Sequence, residues 1–273
     1  MAIDVDAYFD RIGYHGSGEP TRETLGALVA CHNRTIPFEN LDPLMGVPVF
    51  DLSAAALEDK LVRRRRGGYC YEHNGLLGYV LEQLGAQVER LVGRVVWMHD
   101  TDDLPAQTHQ ALAVRLPEGR YLVDVGFGGQ TPTSPLRFET ETVQQTRHEP
   151  YRLLDHPHGY ELQAQVRGQW QSLYLLDPHP RPMIDLQVGS WYVSTHPAST
   201  FVVGLSAAVV TDDARFNLRG RHLAVHRGGE TERIRLDTAA AVLDVLAGRF
   251  GIDLSDVGDP AALAGRVEQV LDR

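Results

Sequence analysis

The residues best suited to covalent chemistry lie around Cys70, in the stretch RRRRGGYCYEHN at residues 63–74. Apolar residues at helical spacing follow the cysteine, so we expect a helix that begins near Cys70 and stops at Gly85, with Cys70 at or just before its start. At a helix N-terminus, unpaired backbone N–H groups and the helix dipole stabilise an anion such as a thiolate. Cys70 is therefore a candidate nucleophile, although its placement also fits a small buried core residue.

A nucleophilic thiolate usually depends on a neighbouring imidazole, and His109 is a candidate partner. Asp124 interrupts the apolar run RYLVDVGF, where a carboxylate is unfavourable unless it is paired, for example with an imidazole that it orients. If PEGR closes a simple hairpin with Leu116 opposite Tyr121, His109 and Asp124 share a face but lie roughly 13 Å apart. Contact then requires a bulge, a bend or a different register. An aspartate that faces water at a strand edge is the alternative.

Composition excludes several classes of protein. Two cysteines in 273 residues are too few for a disulfide framework or a cysteine-based zinc site, and Cys31 has no activating neighbour in its helical segment. The net charge of −10 argues against DNA or RNA as a partner. The acidic N-terminus does not resemble a signal peptide, and the longest apolar stretch is too short to span a bilayer. We therefore expect a cytoplasmic protein without membrane contact.

Hydrophobic patterning divides the chain into three zones. Residues up to about 85 are predicted to be helical, with Thr21 and Ser53 as helix caps. From about residue 87 to 195, short alternating runs predict an antiparallel sheet or small barrel. The last zone combines two strand-like runs, LSAAVVT and RHLAVHR, with two helical segments at the C-terminus.

Four motifs, in this order along the chain, resemble those of the arylamine N-acetyltransferases, and most closely those of the bacterial members: IPFENLD, RGGYCYEHN, THQAL and YLVDVGFGG. TPTSPLRF and STHPAS extend the resemblance through most of the chain. The resemblance implies an α+β fold with a papain-like catalytic core. It comprises a helical bundle (residues 1–85), an antiparallel β-barrel (86–195) and an α/β lid (196–273). It also implies a catalytic triad of Cys70, His109 and Asp124.

The activity implied by the resemblance is transfer of an acetyl group from acetyl-CoA to the nitrogen of arylamines, arylhydrazines or N-hydroxyarylamines, by double displacement through an acetyl-cysteine intermediate. Acetyl-CoA is the expected cosubstrate, with propionyl-CoA as an alternative donor, and no metal or prosthetic group is expected. Substrate-binding residues are expected by motif position at Phe38, Val95, Thr108, Gly126, Phe127 and Phe201. Phe201 fits a plain core role equally well. Gly128 and Gly129 are expected near the CoA.

Three further patterns invite functional interpretations. GFGG is a weak phosphate-loop pattern because no lysine or obvious helix follows it, and we interpret its glycines as allowing close backbone approach to substrate or CoA. Arg63–Arg66 are expected to be mostly solvated, with at least one turned inward toward a carboxylate such as Glu39. Prolines interrupt the histidine-rich DHPHG and DPHP, which disfavours a metal site.

The triad alone does not separate an acetyltransferase from a protease-like or transglutaminase-like cysteine hydrolase. A catalytically silent binding module is a third reading, which predicts that Cys70 alkylates no faster than Cys31. The sequence leaves the oligomeric state open.

Overall fold

The computed structural model describes residues 2–98 and 104–273. Its helices are α1 (Val5–Ile12), α2 (Arg22–Thr35), α3 (Leu41–Leu44), α4 (Ala54–Leu57), α5 (Cys70–Gln83), α6 (Met183–Thr195), α7 (Thr200–Val203), α8 (Ala239–Gly248) and α9 (Pro260–Val270). A π-helical turn at Glu58–Arg63 continues α4, and a 3₁₀ turn lies at Gly128–Gln130.

The strands are β1 (Phe38–Glu39), β2 (Gln87–Val95), β3 (Gln107–Leu116), β4 (Gly119–Val123), β5 (Leu136–Arg137), β6 (Tyr151–His156), β7 (Gly159–Val166), β8 (Gln169–Leu176), β9 (Ser206–Val210), β10 (Ala214–Arg219), β11 (His222–Arg227) and β12 (Glu230–Arg235).

Seven strands form an antiparallel sheet with the order β5-β4-β3-β2-β8-β7-β6. The two edges of this sheet meet because the chain after β5 pairs with β6. The backbone N–H of Gln144 donates to the carbonyl of Tyr151 at 2.8 Å, and that of Tyr151 donates back at 2.9 Å. The sheet thus curls into a nearly closed barrel filled with apolar side chains, including Leu91, Leu122 and Leu162.

The other sheet combines one strand from the N-terminal part of the chain, β1, with four strands from the C-terminal part. Its order is β1-β9-β10-β11-β12, and β1 pairs with β9 through Phe38 opposite Ala208. Helices α8 and α9 cover it with the buried residues Val242, Leu246 and Val267. At the N-terminal end, α1 contacts both α2 and α5, and α5 also contacts β3. Helix α5, which begins at Cys70, therefore packs on the strand that carries His109.

The predicted helix starts are confirmed. The Thr21 hydroxyl accepts the Thr24 N–H at the start of α2, at 3.2 Å, and the Ser53 hydroxyl accepts the Ala56 N–H at the start of α4, at 3.3 Å. Helix α5 begins at Cys70 and ends two residues before Gly85. In the described part of the chain, no helix has both the length and the apolar character needed to cross a bilayer.

The predicted barrel zone was wrong for residues 183–195, which form α6 instead of strand. This segment is rich in β-branched and aromatic residues, which favour strands locally. Leu186, Ser190 and Val193 are nevertheless buried at positions i, i+4 and i+7, the spacing of one helix face. The division of the chain at residues 85 and 195 stays a prediction. Strands β10 and β12 were missed because charged residues interrupt their apolar pattern.

Candidate active site

Cys70 is the first residue of α5, as the sequence predicts. Only 4% of the residue is exposed, and its Sγ lies 3.7 Å from the carbonyl oxygen of Thr108 on β3. One turn into the helix, the Glu72 carboxylate accepts the backbone N–H of Tyr69 at 3.1 Å, which caps the helix start. The Glu72 N–H donates to the carbonyl of Tyr69 at 2.9 Å, whereas the N–H groups of Cys70 and Tyr71 lie at the very start of the helix, where no preceding turn supplies an acceptor.

The double glycine before Cys70 permits a close approach between two backbone segments. A Cβ atom at Gly67 would stand 2.0 Å from the carbonyl oxygen of Pro37, and one at Gly68 would stand 2.5 Å from Glu72 Oε2. A residue with a side chain cannot occupy either position without moving its neighbours. The glycines therefore bring the loop that precedes Cys70 against the segment that contains Phe38.

Arg66 is the arginine that turns inward. Its Nη2 lies 2.8 Å from Glu39 Oε1 and 2.8 Å from Asp42 Oδ1, and the residue is 1% exposed. The predicted pairing with Glu39 is confirmed. Buried Lys60 lies 2.6 Å from Glu72 and 2.7 Å from Asp42, so a network of paired charges supports the start of α5.

His109 and Asp124 are in contact, with Nε2 of the ring 2.7 Å from Oδ2 of the carboxylate. The register assumed from the sequence was wrong. The hairpin turn has two residues, so Leu116 pairs with Gly119 and Leu112 with Val123. This places Asp124 only two positions from His109 across the strands, a diagonal separation of about 7–8 Å that the two side chains bridge.

Asn74, which the sequence analysis missed, fixes the carboxylate. Its amide nitrogen donates to Asp124 Oδ1 at 2.9 Å, and its oxygen accepts the backbone N–H of Val125 at 3.0 Å. The backbone N–H of Gly126 also donates to Asp124 Oδ1, at 2.9 Å. A signal was present in the sequence, because Asn74 follows Cys70 by four residues and so lies on the same face of α5.

The electrostatics of the pair favour a charged imidazole. Burial alone would lower the pKa of His109, but the charges of Asp124 and Cys70 and hydrogen bonds to both raise it to about 10. Burial opposes ionisation of Asp124, yet the pKa of that carboxyl is lowered by the charge of His109 and by its hydrogen-bond donors. Because Nε2 faces Asp124, Nδ1 is the ring nitrogen left for the thiol. The arrangement can hold an imidazolium between a carboxylate and a sulfur atom.

Cys70 and His109 open onto a cavity of 1380 Å³. All the predicted substrate and CoA residues line this cavity, namely Phe38, Val95, Thr108, Gly126, Phe127, Gly128, Gly129 and Phe201. Asp124 lies behind His109 and is not part of the lining. Sequence reasoning missed the aromatic lining residue Trp97 and a set of lining arginines: Arg147, Arg167, Arg215, Arg219, Arg227 and Arg233.

Aromatic rings line the cavity around His109. The Phe38 and Phe201 rings meet edge to face, with centroids 5.7 Å apart, and Phe127 stands perpendicular to His109 at 5.2 Å. Tyr174 lies on another side of His109, at 4.7 Å. Phe201 is thus a cavity residue that also packs against the hydrophobic core.

The glycines of GFGG do not form a phosphate loop in front of a long helix, since Gly128–Gln130 is a single 3₁₀ turn. A Cβ atom at Gly126 would stand 2.6 Å from Cys70 Cα, and one at Gly129 would stand 2.6 Å from Asn217. The close approach that these glycines permit is thus already made to neighbouring residues of the chain. Within residues 2–98 and 104–273, no three His, Cys, Asp or Glu residues are grouped as a metal site would require.

Comparison with known proteins defines the class. The sequence model of a family described as N-acetyltransferase matches residues 21–258. The arylamine N-acetyltransferase of Mycolicibacterium smegmatis is 66% identical to the chain, over 100% of both sequences. The Salmonella typhimurium arylamine N-acetyltransferase / N-hydroxyarylamine O-acetyltransferase is 37% identical, over 94% of this chain and 92% of that protein.

Solved structures agree with this class. The structure of Mycobacterium marinum arylamine N-acetyltransferase in complex with CoA matches with a TM-score of 0.96 at 61% identity, over 98% of this chain and 99% of that one. The chain belongs to the arylamine N-acetyltransferase family. The predicted family and the α+β fold are therefore confirmed.

Proposed function

We propose that the protein transfers the acetyl group of acetyl-CoA to the nitrogen of an arylamine, with S-acetyl-Cys70 as the intermediate. The observation that carries this proposal is the placement of Cys70 and His109 on one cavity wall, with Asp124 held 2.7 Å behind the imidazole. Membership of the family supports the overall reaction. The triad geometry supports the covalent route.

In the first half-reaction, the proton of Cys70 moves to Nδ1 of His109, and Asp124 stabilises the resulting imidazolium. The thiolate attacks the thioester carbonyl of acetyl-CoA. The bond between that carbonyl carbon and the CoA sulfur then breaks, and CoA leaves as a thiol with the proton from His109. Backbone N–H groups at the start of α5, including that of Cys70, are the proposed donors to the oxyanion.

In the second half-reaction, the amine nitrogen attacks the carbonyl carbon of S-acetyl-Cys70 and gives its proton to His109. The bond from that carbon to Sγ breaks, and the acetylated amine is released. The Cys70 thiolate and the His109 imidazolium are thereby restored. Arylamines and arylhydrazines suit this step because their nitrogens are largely uncharged at neutral pH. The name of the Salmonella relative supports N-hydroxyarylamines as a further acceptor class, with the hydroxyl oxygen as the atom that is acetylated.

The cavity suits both substrates. Phe38, Phe127 and Phe201 offer rings against which a flat acceptor can pack. Arg147, Arg215 and Arg227 are paired with the lining carboxylates of Asp212, Glu149 and Asp213. Positive charge for the phosphates of CoA is therefore offered mainly by Arg167, Arg219 and Arg233, which form no ion pair with the described residues. The complex of the Mycobacterium marinum relative with CoA supports acetyl-CoA as the donor. We extend the same donor site to propionyl-CoA, which differs by one methylene group.

The test is an intact-mass measurement after incubation with acetyl-CoA. We expect a gain of one acetyl group, its loss on addition of aniline, and no gain in Cys70→Ala. Cys31→Ala is the matched control, since Cys31 is also buried but does not line the cavity, and it should acetylate like the wild type. Peptide cleavage without any acetylation would instead identify a cysteine hydrolase and overturn the proposal.

A further inference from the structure

Three buried side chains outside the cavity lining form a continuous chain of hydrogen bonds. The Tyr8 hydroxyl lies 2.9 Å from Nδ1 of His32, and Nε2 of His32 lies 2.8 Å from Nδ1 of His73. Nε2 of His73 lies 3.1 Å from the carbonyl oxygens of both Pro37 and Gly68. The three side chains are no more than 1% exposed, and none has a place in the acetyl-transfer steps above.

The acceptors at the end of this chain dictate its direction. Carbonyl oxygens can only accept, so Nε2 of His73 carries a hydrogen and, in a neutral ring, Nδ1 carries a lone pair. His32 must then donate from Nε2, and its own Nδ1 accepts the hydroxyl hydrogen of Tyr8. One proton arrangement therefore satisfies every group, and it requires both imidazoles to be neutral.

The surroundings favour the neutral rings. Burial lowers the pKa of His73 to about 4, although the two carbonyls and Glu39 oppose this effect. Burial, followed by the charges of His73 and Arg11, also lowers the pKa of His32. The positive charge of Lys60 also lowers the pKa of His73 and so disfavours a protonated ring.

The chain of hydrogen bonds ends where the loop that precedes Cys70 meets the segment that contains Phe38. Phe38 and Gly68 form an isolated parallel bridge, in which the Glu39 N–H donates to the Gly68 carbonyl at 2.8 Å. The return bond, from the Gly68 N–H to the Pro37 carbonyl, is long at 3.4 Å. The single N–H of His73 reaches both carbonyls and so joins the two segments.

We propose that His73 is a positioning residue that sets the spacing between Phe38, on the cavity wall, and the loop that leads into Cys70. His32 and Tyr8 hold His73 in the tautomer that this role needs. The inference rests on the proposed function, in which Phe38 packs against the acceptor ring after Cys70 has been acetylated. Loss of the His73 donor should therefore weaken the acceptor step more than the acetylation step.

The tautomers can be tested in the wild-type protein by ¹⁵N NMR of labelled histidines. We expect two rings with hydrogen on Nε2 and none on Nδ1, unchanged between about pH 5.5 and 8, where an unperturbed histidine titrates. These rings should be absent from the spectra of His32→Asn and His73→Gln respectively. An Nδ1–H tautomer, or titration of either ring in this range, would overturn the inference without touching the proposed function.

The positioning role is tested by comparing His73→Leu with His73→Gln, which keeps a donor near the position of Nε2. For His73→Leu we expect the KM for aniline to rise about fivefold, the factor that one net hydrogen bond supplies. The rate of Cys70 acetylation by acetyl-CoA should stay within about twofold, and His73→Gln should restore most of the KM.

Tyr8→Phe should give a smaller rise in the KM, and Tyr121→Phe is its control, because the buried hydroxyl of Tyr121 has no hydrogen-bond partner among the described residues. A purely structural role is indicated if the rates of both half-reactions fall in proportion to the folded fraction, or if His73→Gln has the same kinetic constants as His73→Leu. Either result overturns the inference. Failure of the wild type to acetylate at Cys70 would instead overturn the proposed function.

Discussion

Asn74 and Asp124 are joined by a hydrogen bond of 2.9 Å that connects helix α5 to the loop after β4 that carries the carboxylate. Because Asn74 also accepts the backbone N–H of Val125, it fixes both the side chain and the local backbone at this position. Cys70 is on the same helix, four residues earlier. The amide thus sets the distance between two members of the proposed triad.

Replacing Asn74 with alanine should lower the acetyl-transfer rate about 10²-fold, since small misplacements of a catalytic group have effects of this size. The rate would be measured by steady-state release of CoA, with circular dichroism to confirm folding. Asn33→Ala is a suitable control, because Asn33 is also buried and donates to the carbonyl of Pro132 at 3.0 Å. Equal losses in the two variants would contradict a specific role for Asn74.

Replacing Asp124 with asparagine removes the charge that raises the pKa of His109 to about 10. We expect activity to fall about 10³-fold or more. The residual activity should also begin to decline on the alkaline side at a lower pH than in the wild type. The reason is that His109 then loses its proton at a lower pH, and an uncharged His109 cannot protonate the leaving CoA. The pH profiles of Cys70 acetylation in wild type and variant provide the measurement, and an alkaline limb at the same pH in both would refute this explanation.

Gly126→Ala should destabilise the protein by about 1–3 kcal/mol, because its Cβ would stand 2.6 Å from Cys70 Cα and backbone atoms would have to move. Acetylation of Cys70 should slow in the folded fraction as well. Gly265 on α9 has open space around a built Cβ, so Gly265→Ala should leave stability unchanged or raise it slightly. The free energies of unfolding of the two variants are measured by urea unfolding. The prediction is wrong if Gly126→Ala is as stable as the wild type.

The buried His73 should make stability depend on pH. Its pKa is lowered from 6.5 to about 4 on folding, so the unfolded chain binds the extra proton first as the pH falls. His73 therefore imposes no penalty above pH 6.5, and between pH 6.5 and about 4 it lowers the free energy of unfolding by up to about 3 kcal/mol.

The measurement is urea unfolding of wild type and His73→Gln at a series of pH values. The wild type should lose more stability than the variant across this window. Glu72, whose pKa is raised mainly by burial, acts in the opposite direction but is present in both proteins. Parallel stability curves would show that His73 does not titrate on unfolding.

Local signals in the sequence located most of the elements that position the site. Thr21, Ser53 and the start of α5 at Cys70 depend on capping and helical spacing, which neighbouring residues determine. The helix α6 could not be predicted in this way, because burial of one face against other elements overrode a strand-like composition. Asn74 was missed for a similar reason, since its partner is fifty residues away in the sequence.

The contact between His109 and Asp124 depended on the one quantity that the sequence analysis misjudged, the length of a hairpin turn. The interpretation of PEGR as a four-residue connection separated the two side chains. The observed turn uses only Pro117 and Glu118, and Gly119 continues the pairing with a φ of +143°. A positive φ at Gly119 is accessible because glycine has no Cβ.

That turn is exposed, and seven residues of β3 separate it from His109, roughly 23 Å at the rise of an extended strand. The length of the turn nevertheless determines the geometry of the candidate site, because it sets the register of β4 against β3 and therefore the position of Asp124. One inserted residue would send the carboxylate to the opposite side of the sheet, unless a bulge absorbed it. An outer loop that looks free to vary is therefore a poor place to lengthen this enzyme.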